Sequence, residues 1–106
     1  MKPQRVAVLG PFSDSNSLAY MQAGLRLCDL IAQTGNTPIL ILETDPQRVI
    51  EWFAVCNKVV RYPGEAPFCD RVLYTAKRLE KPIFFTEQEL LAALEAEDLT
   101  DGVRVA

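Results

Sequence analysis

The sequence contains no histidine. Without an imidazole the chain cannot assemble a Ser-His-Asp or Cys-His catalytic site from its own residues, and no plausible zinc site remains. Cysteine is scarce, since Cys28, Cys56 and Cys69 make an odd count with no Cys-x-x-Cys pair. The first residues do not resemble a signal peptide either. We therefore expect reduced thiols, a cytoplasmic location and no metal.

Long apolar runs and basic clusters are also missing. The longest apolar runs, 38–42 and 82–85, are far too short to cross a bilayer. The net charge is −3 and the lysines and arginines are scattered, which argues against a nucleic-acid partner. Neither the glycine-rich dinucleotide fingerprint nor the phosphate loop of P-loop proteins is found. We expect no membrane contact, no nucleic acid and no cofactor.

The patterns that are present predict one domain over residues 1–106. Short apolar runs at 6–9, 38–42, 58–62 and 82–85 predict strands. Helical spacing predicts helices over 17–33, after Asp45-Pro46, over 70–80, and after Thr86, where Glu89 completes a capping box. Ser15, Asn16 or Ser17 caps the first helix, and Gly35 ends it. Residues 98–106 form an acidic, loosely ordered tail in this interpretation, with a short strand at Val103 and Val105 as an alternative.

Regular alternation of strand and helix indicates the α/β class. It predicts a four-stranded parallel sheet in a doubly wound, Rossmann- or flavodoxin-like three-layer sandwich, with strand order 2-1-3-4. In that order the chain reverses direction between strands one and three, where open α/β sheets bind ligands at the carboxyl ends of their strands. The loops at that point contain Gly10-Pro11 and Pro63-Gly64. We expect a ligand cleft between residues 10–15 and 62–71.

Each loop residue has a ligand-binding and a structural interpretation. Gly10-Pro11 either shapes a ligand loop or only ends a strand. Ser13 and Asp14 either hold a sugar hydroxyl at a helix N-terminus or only cap that helix, and Asp14 disfavours a phosphate beside it. Phe12 either stacks on a base or covers the core.

Three segments resemble the nucleoside 2-deoxyribosyltransferase-like superfamily, including its small members. Residues 8–13 (Val-Leu-Gly-Pro-Phe-Ser) are like that family's strand ending in Ala-Gly-Pro-Phe. Residues 56–64 (Cys-Asn-Lys-Val-Val-Arg-Tyr-Pro-Gly) are like its Cys-Asp-Ala-Val-Val followed by Leu-Pro-Gly. Residues 79–84 (Leu-Glu-Lys-Pro-Ile-Phe) are like its Gly-Lys-Pro-Ile-Phe, and Trp52 matches a family tryptophan. The resemblance covers most of residues 5–85.

The resemblance implies a glutamate nucleophile near the start of the third helix, which attacks the anomeric carbon of a deoxynucleoside. The matching position is Val72, and a valine cannot form a glycosyl ester. Asp70 and Glu65 are the remaining catalytic candidates, although Asp70 is about 200° around a helix from Val72. Arg71, before the nucleophile position, pairs with a ligand phosphate or with Asp14.

These observations leave three functional hypotheses. The first is a domain that binds a nucleoside- or nucleotide-like ligand without transferase chemistry, through Gly10, Pro11, Phe12, Ser13, Asp14, Pro63, Gly64 and Arg71. The second is an active N-glycosidase or deoxyribosyltransferase that uses Asp70 or Glu65. The third is a protein-interaction module, which predicts a cleft filled by the protein's own side chains. Homo-oligomers are expected, because the family's enzymes complete their sites across subunits and the sheet has edges to cover.

Overall fold

The computed structural model describes residues 3–12, 17–42 and 45–105, and residues 98–105 by their backbone alone. Strands and helices alternate along this part of the chain as the sequence predicts. The elements are β1 (Arg5–Leu9), α1 (Leu18–Gln33), β2 (Thr37–Leu40), α2 (Pro46–Val55), β3 (Lys58–Arg61), α3 (Pro67–Arg78), β4 (Ile83–Phe84) and α4 (Glu87–Val105).

The four strands form one parallel sheet in the order β2-β1-β3-β4, which confirms the predicted topology. In the register Ala7 lies beside Ile39 of β2 and Val59 of β3, and Val60 lies beside Phe84 of β4. The carboxyl ends of β1 and β3 are therefore neighbours, and the loops that follow them leave the sheet side by side.

Each face of the sheet carries its own apolar cluster. Ala7 and Leu9 point to the face that α2 and α3 cover, whereas Val6 and Val8 point to the face that α1 and α4 cover. All four side chains are fully buried, as expected for a parallel strand with helices on both sides. The structure is thus the three-layer α/β sandwich that the strand and helix pattern predicts.

Local signals in the sequence place several helix ends correctly. The Asp45 carboxylate accepts a hydrogen bond from the Gln47 amide at 3.0 Å at the start of α2. The Thr86 hydroxyl accepts from the Glu89 amide at 3.1 Å at the start of α4. Gly35 follows α1 with φ +84, the left-handed conformation that favours glycine. Ser17 precedes α1 but makes no side-chain capping bond, and Ser15 and Asn16 lie outside the described residues.

The structure corrects three of the predicted boundaries. β2 covers Thr37–Leu40 rather than 38–42 and is only half-buried, because it is an edge strand. α3 begins at Pro67, three residues before Asp70, since proline is well suited to the first helical position. α4 continues as helix to Val105, so no strand forms at Val103 and Val105 where the sequence suggested one.

A buried charged network ties α4 to the amino end of β3. The Lys58 side chain is only 7 % exposed, and its ammonium group lies 2.7 Å from the Glu97 carboxylate. The Gln4 side chain hydrogen-bonds both groups. The network holds the second half of α4 against the sheet and satisfies a cation that burial would otherwise destabilise.

Candidate functional site

The loops after β1 and β3 contact each other at the carboxyl edge of the sheet. A Cβ atom on Gly10 would lie 2.3 Å from ring carbons of Tyr62, and one on Gly64 would lie 2.4 Å from Pro11. The Cys69 thiol also donates a hydrogen bond to the Gly10 carbonyl at 2.9 Å. These contacts bury Gly10 and Pro11, the two residues of the β1 loop that the sequence predicts as ligand contacts.

The Tyr62 side chain occupies the space between the two loops. Its ring is 4 % exposed and packs against Gly10 on one element and Gly24 of α1 on another. Burial raises the pKa of the phenol, and a backbone hydrogen bond from Phe12 partly opposes that effect. An aromatic ring of the protein therefore fills the part of the predicted cleft that the described residues form.

The other predicted ligand-binding residues are separated by the fold. Phe12 is half-buried, and Pro63 and Gly64 are exposed on the outer surface of the β3 loop. Arg71 is exposed and lies along a groove between α2 and α3, where Pro46 and Ile50 are its neighbours. Ser13 and Asp14 lie outside the described residues.

The two catalytic candidates do not form a pair of carboxylates. Asp70 accepts a hydrogen bond from Arg61 at 3.2 Å, so a guanidinium already engages its carboxylate. Glu65 is exposed in the loop before α3. Val72 is only 5 % exposed and packs in the cluster between the sheet, α2 and α3. The position that matches the family's nucleophile thus faces an apolar core.

A pocket of about 280 Å³ opens one strand further along the same edge, between the carboxyl ends of β3 and β4. Its walls combine apolar side chains with an opposite pair of charges at the rim. The lining residues are Ala23, Arg26, Leu27, Val60, Tyr62, Pro63, Phe85, Thr86 and Glu87. We refer to this cavity as the β3–β4 pocket.

Two features of the β3–β4 pocket bear on what it accepts. Phe85 is 60 % exposed, which leaves an aromatic ring available at the rim. Arg26 and Glu87 lie 3.9 Å apart with side chains 75 % and 42 % exposed. An ion pair so exposed contributes little stability, so both groups are free to turn toward a bound polar group.

Two residues of this pocket, Tyr62 and Pro63, lie within the range 62–71 that the sequence predicts as one wall of a cleft, and Pro63 is also a predicted ligand contact. Phe85 was assigned to the last strand, but β4 ends at Phe84 and the ring of Phe85 projects to the surface. Ala23, Arg26 and Leu27 come from α1, some sixty residues earlier in the chain, and no local motif marks them. The amphipathic pattern of α1 gives their helical positions but does not connect them to β4.

The three cysteines are free and serve as packing residues. Cys56 and Cys69 are buried, and burial raises the pKa of the Cys56 thiol. Within the part of the chain that the structure describes, no group of three or more carboxylates and thiols is arranged to hold a metal ion. The described helices also include none with the length and apolar character needed to cross a membrane.

No protein-family model matches the chain, and comparisons with curated proteins and with solved structures found no match either. The assignment of function therefore depends on the geometry of the carboxyl edge.

Proposed function

We propose that this domain binds a small, nucleoside-like molecule in the β3–β4 pocket and does not transfer its sugar. The observation that carries the proposal is the position of the pocket at the carboxyl ends of β3 and β4, where open α/β sheets hold their ligands. The pocket also borders the switch point, because Tyr62 and Pro63 belong to the loop after β3.

The size and lining of the pocket favour a small molecule with one aromatic ring system, such as the base of a nucleoside. Its volume of about 280 Å³ lies just below the range of roughly 300–1,000 Å³ that is typical of drug-sized ligands. The exposed ring of Phe85 offers a stacking surface, and base–aromatic stacking contributes about 1–3 kcal/mol. The rim carries one positive and one negative side chain, which suits the neutral, hydrogen-bonding edge of a nucleoside better than a phosphate.

Two structural observations support the absence of transferase chemistry in this proposal. A transferase needs a nucleophile beside the sugar, but Val72 is in the core and Asp70 is paired with Arg61. The resemblance to nucleoside 2-deoxyribosyltransferases enters the proposal through the ligand class alone. A homo-oligomer in the cytoplasm is part of the same proposal: β2 and β4 have no outer neighbour within the described sheet, and free thiols suit a reducing compartment.

A thermal-shift panel of nucleosides, deoxynucleosides, nucleotides and sugar phosphates tests this proposal, with base release followed chromatographically in the same samples. At a ligand concentration a hundred times the dissociation constant, we expect stabilisation of about 2.7 kcal/mol. Binding without base release supports the proposal. Base release would refute the proposal that the domain does not transfer the sugar. Full base-releasing activity in Asp70→Ala and Glu65→Ala would also refute the two candidate nucleophiles.

Matched aromatic variants locate the bound molecule. Phe85→Ala removes the exposed ring at the pocket, and Tyr74→Ala removes a comparably exposed ring from α3, 60 % and 65 % exposed respectively. We expect Phe85→Ala to weaken binding by about 5- to 150-fold, the loss of one stacked ring, and Tyr74→Ala to leave it unchanged. Equal effects of the two variants would contradict the assignment to this pocket.

The filled loop crevice favours a second function, that of a protein-interaction module without a small ligand. That hypothesis predicted a cleft filled by the protein's own side chains, and Tyr62 and Pro11 are both buried there. It also predicts no response across the ligand panel. A flat thermal-shift panel together with a concentration-dependent mass in light scattering would favour it over ligand binding.

A further inference from the structure

Arg61 places a buried cation at the carboxyl end of β3, on the face of the sheet opposite the β3–β4 pocket. Side chains alternate along the strand, so Val60 and Tyr62 face α1 and α4 whereas Val59 and Arg61 face α2 and α3. The Arg61 side chain is only 8 % exposed. Buried arginines require partners, and the nature of these partners indicates the role of the group.

Two of the guanidinium nitrogens of Arg61 have partners among the described residues. Nη1 donates to the Tyr62 carbonyl at 2.6 Å, and Nη2 donates to the Asp70 carboxylate at 3.2 Å. A guanidinium carries five N–H groups in a fixed fork, which matches the oxygens of a phosphate in pairs. Within the described part of the chain, Arg61 therefore retains donor capacity beside the Asp70 carboxylate.

The two members of the Arg61–Asp70 pair differ in their freedom to move. The Arg61 side chain is packed between the sheet and α3, but the Asp70 side chain is 64 % exposed on the first turn of α3. Asp70 is able to rotate into solvent at small cost, because such a carboxylate is well hydrated. The first turn of a helix also favours a negative charge. An anion that replaces the Asp70 carboxylate there gains the same stabilisation.

We propose that Arg61 binds a phosphate dianion, either inorganic phosphate or a phosphate monoester, and that Asp70 occupies the site until that anion displaces it. A free monoanion would carry the same charge as Asp70 without the advantage of being tethered to the site. A dianion doubles the attraction to the guanidinium, which works against the advantage of the tether.

Asp70→Asn tests this proposal directly, because it removes the competing charge and retains the shape of the side chain. We expect apparent phosphate affinity to rise about two- to fivefold, which is the effect of removing a partly exposed ion pair. Titrations of inorganic phosphate and of ribose 5-phosphate at constant ionic strength, against sodium chloride, measure the affinity and distinguish the free ion from a monoester. Asp29→Asn is the matched control, since it removes an exposed aspartate from α1 on the other face.

The Arg61 Nε–H group gives a signal in nitrogen-15 spectra that reports on binding and does not depend on the stability of the protein. The signal is assigned by its loss in Arg61→Lys. In the wild-type chain and in Asp70→Asn, we expect this signal to shift with phosphate and to saturate. A signal that stays fixed while phosphate rises would overturn the proposal, as would equal phosphate affinity in Asp70→Asn and Asp29→Asn. Phe85→Ala separates the two sites: phosphate binding should survive that substitution even if nucleoside binding is lost.

Discussion

Gly10→Ala is the substitution that most directly tests the packing at the switch point. The added methyl group would lie 2.3 Å from two ring carbons of Tyr62 and 2.5 Å from a third. Carbon atoms in contact are normally about 3.5–4.0 Å apart, so the ring would have to move by roughly 1.2 Å. Gly10 is not in the left-handed region, and the cost is therefore steric rather than conformational.

The surroundings of Tyr62 leave the ring little room to make that movement. On its other side, a Cβ on Gly24 would lie 3.1 Å from the phenolic oxygen, so the ring already touches α1 closely. The hydroxyl is also held by the backbone of Phe12. Overpacking of a rigid site costs about 1–3 kcal/mol, and we expect Gly10→Ala to lie near the upper end of that range.

Urea unfolding followed by circular dichroism measures this loss as a free energy of unfolding. A loss of 2–3 kcal/mol corresponds to a decrease in Tm of roughly 8–20 °C in a domain of about this size. Gly35→Ala is the control, because Gly35 has φ +84 and no heavy atom within 4 Å of the added carbon. It should lose only the conformational cost of about 1 kcal/mol.

A double-mutant cycle with Tyr62→Leu determines whether the clash with the ring causes the loss. When the ring is removed, the methyl group at position 10 no longer meets it, so the double variant should be more stable than the sum of the single losses by about 1–2 kcal/mol. Additive losses, or a Gly10→Ala variant within 0.5 kcal/mol of wild type, would refute the conclusion that Tyr62 fills the crevice.

Three further predictions concern the helices and the buried groups. Glu97→Gln should lower the free energy of unfolding by about 1–2 kcal/mol in urea titrations, because Lys58 loses its carboxylate and solvent screens the pair at Glu97, which is 41 % exposed. Glu80 has φ +59 after α3, so Glu80→Gly should raise the Tm, by an amount equivalent to roughly 0.5–1 kcal/mol; a lower Tm would contradict this. Burial raises the pKa of Tyr62, so the native state keeps a proton that the unfolded chain loses. The contribution of this proton to the free energy of unfolding is complete below about pH 10 and is lost as the pH rises through the native pKa of Tyr62. In urea titrations at several pH values, Tyr62→Phe should make the free energy of unfolding less dependent on pH.

The fold was predictable because its signals are local and mutually consistent. The run 6–9 is apolar at every position, and all four residues are fully buried between two helical layers. Three residues have a side chain or a backbone conformation that suits one end of a helix, and each is found at that end: Asp45, Thr86 and Gly35. The predicted boundary of α3 was wrong because Asp70 suits a helix cap, whereas the helix begins at Pro67, where proline suits the first helical position.

The site was less predictable because it depends on how side chains from distant segments pack. The topology correctly brings Gly10 and Gly64 to one edge, but the sequence does not show that Tyr62 would occupy the space between them. Arg61 and Phe85 both lie in apolar runs that predict strands. The apolar pattern does not show that Arg61 is a buried cation, or that β4 ends one residue before Phe85. Arg71, the predicted positive charge, is exposed, and the sequence does not show that Arg61 is a second, buried cation at the end of β3.

The end of β3 places two chemically different side chains on the two faces of the sheet. Arg61 and Tyr62 are consecutive, so the strand directs a guanidinium toward α3 and an aromatic ring toward α1. A shift of one residue in the register of β3 would exchange these groups, placing the cation against the apolar cluster that contains Leu90. The ion pairs of Lys58 with Glu97 and of Arg61 with Asp70 oppose that shift, because each cation would move away from its carboxylate. The same packing that stabilises the sheet therefore places the Arg61 guanidinium and the β3–β4 pocket on opposite faces, so the two proposed sites can be tested independently.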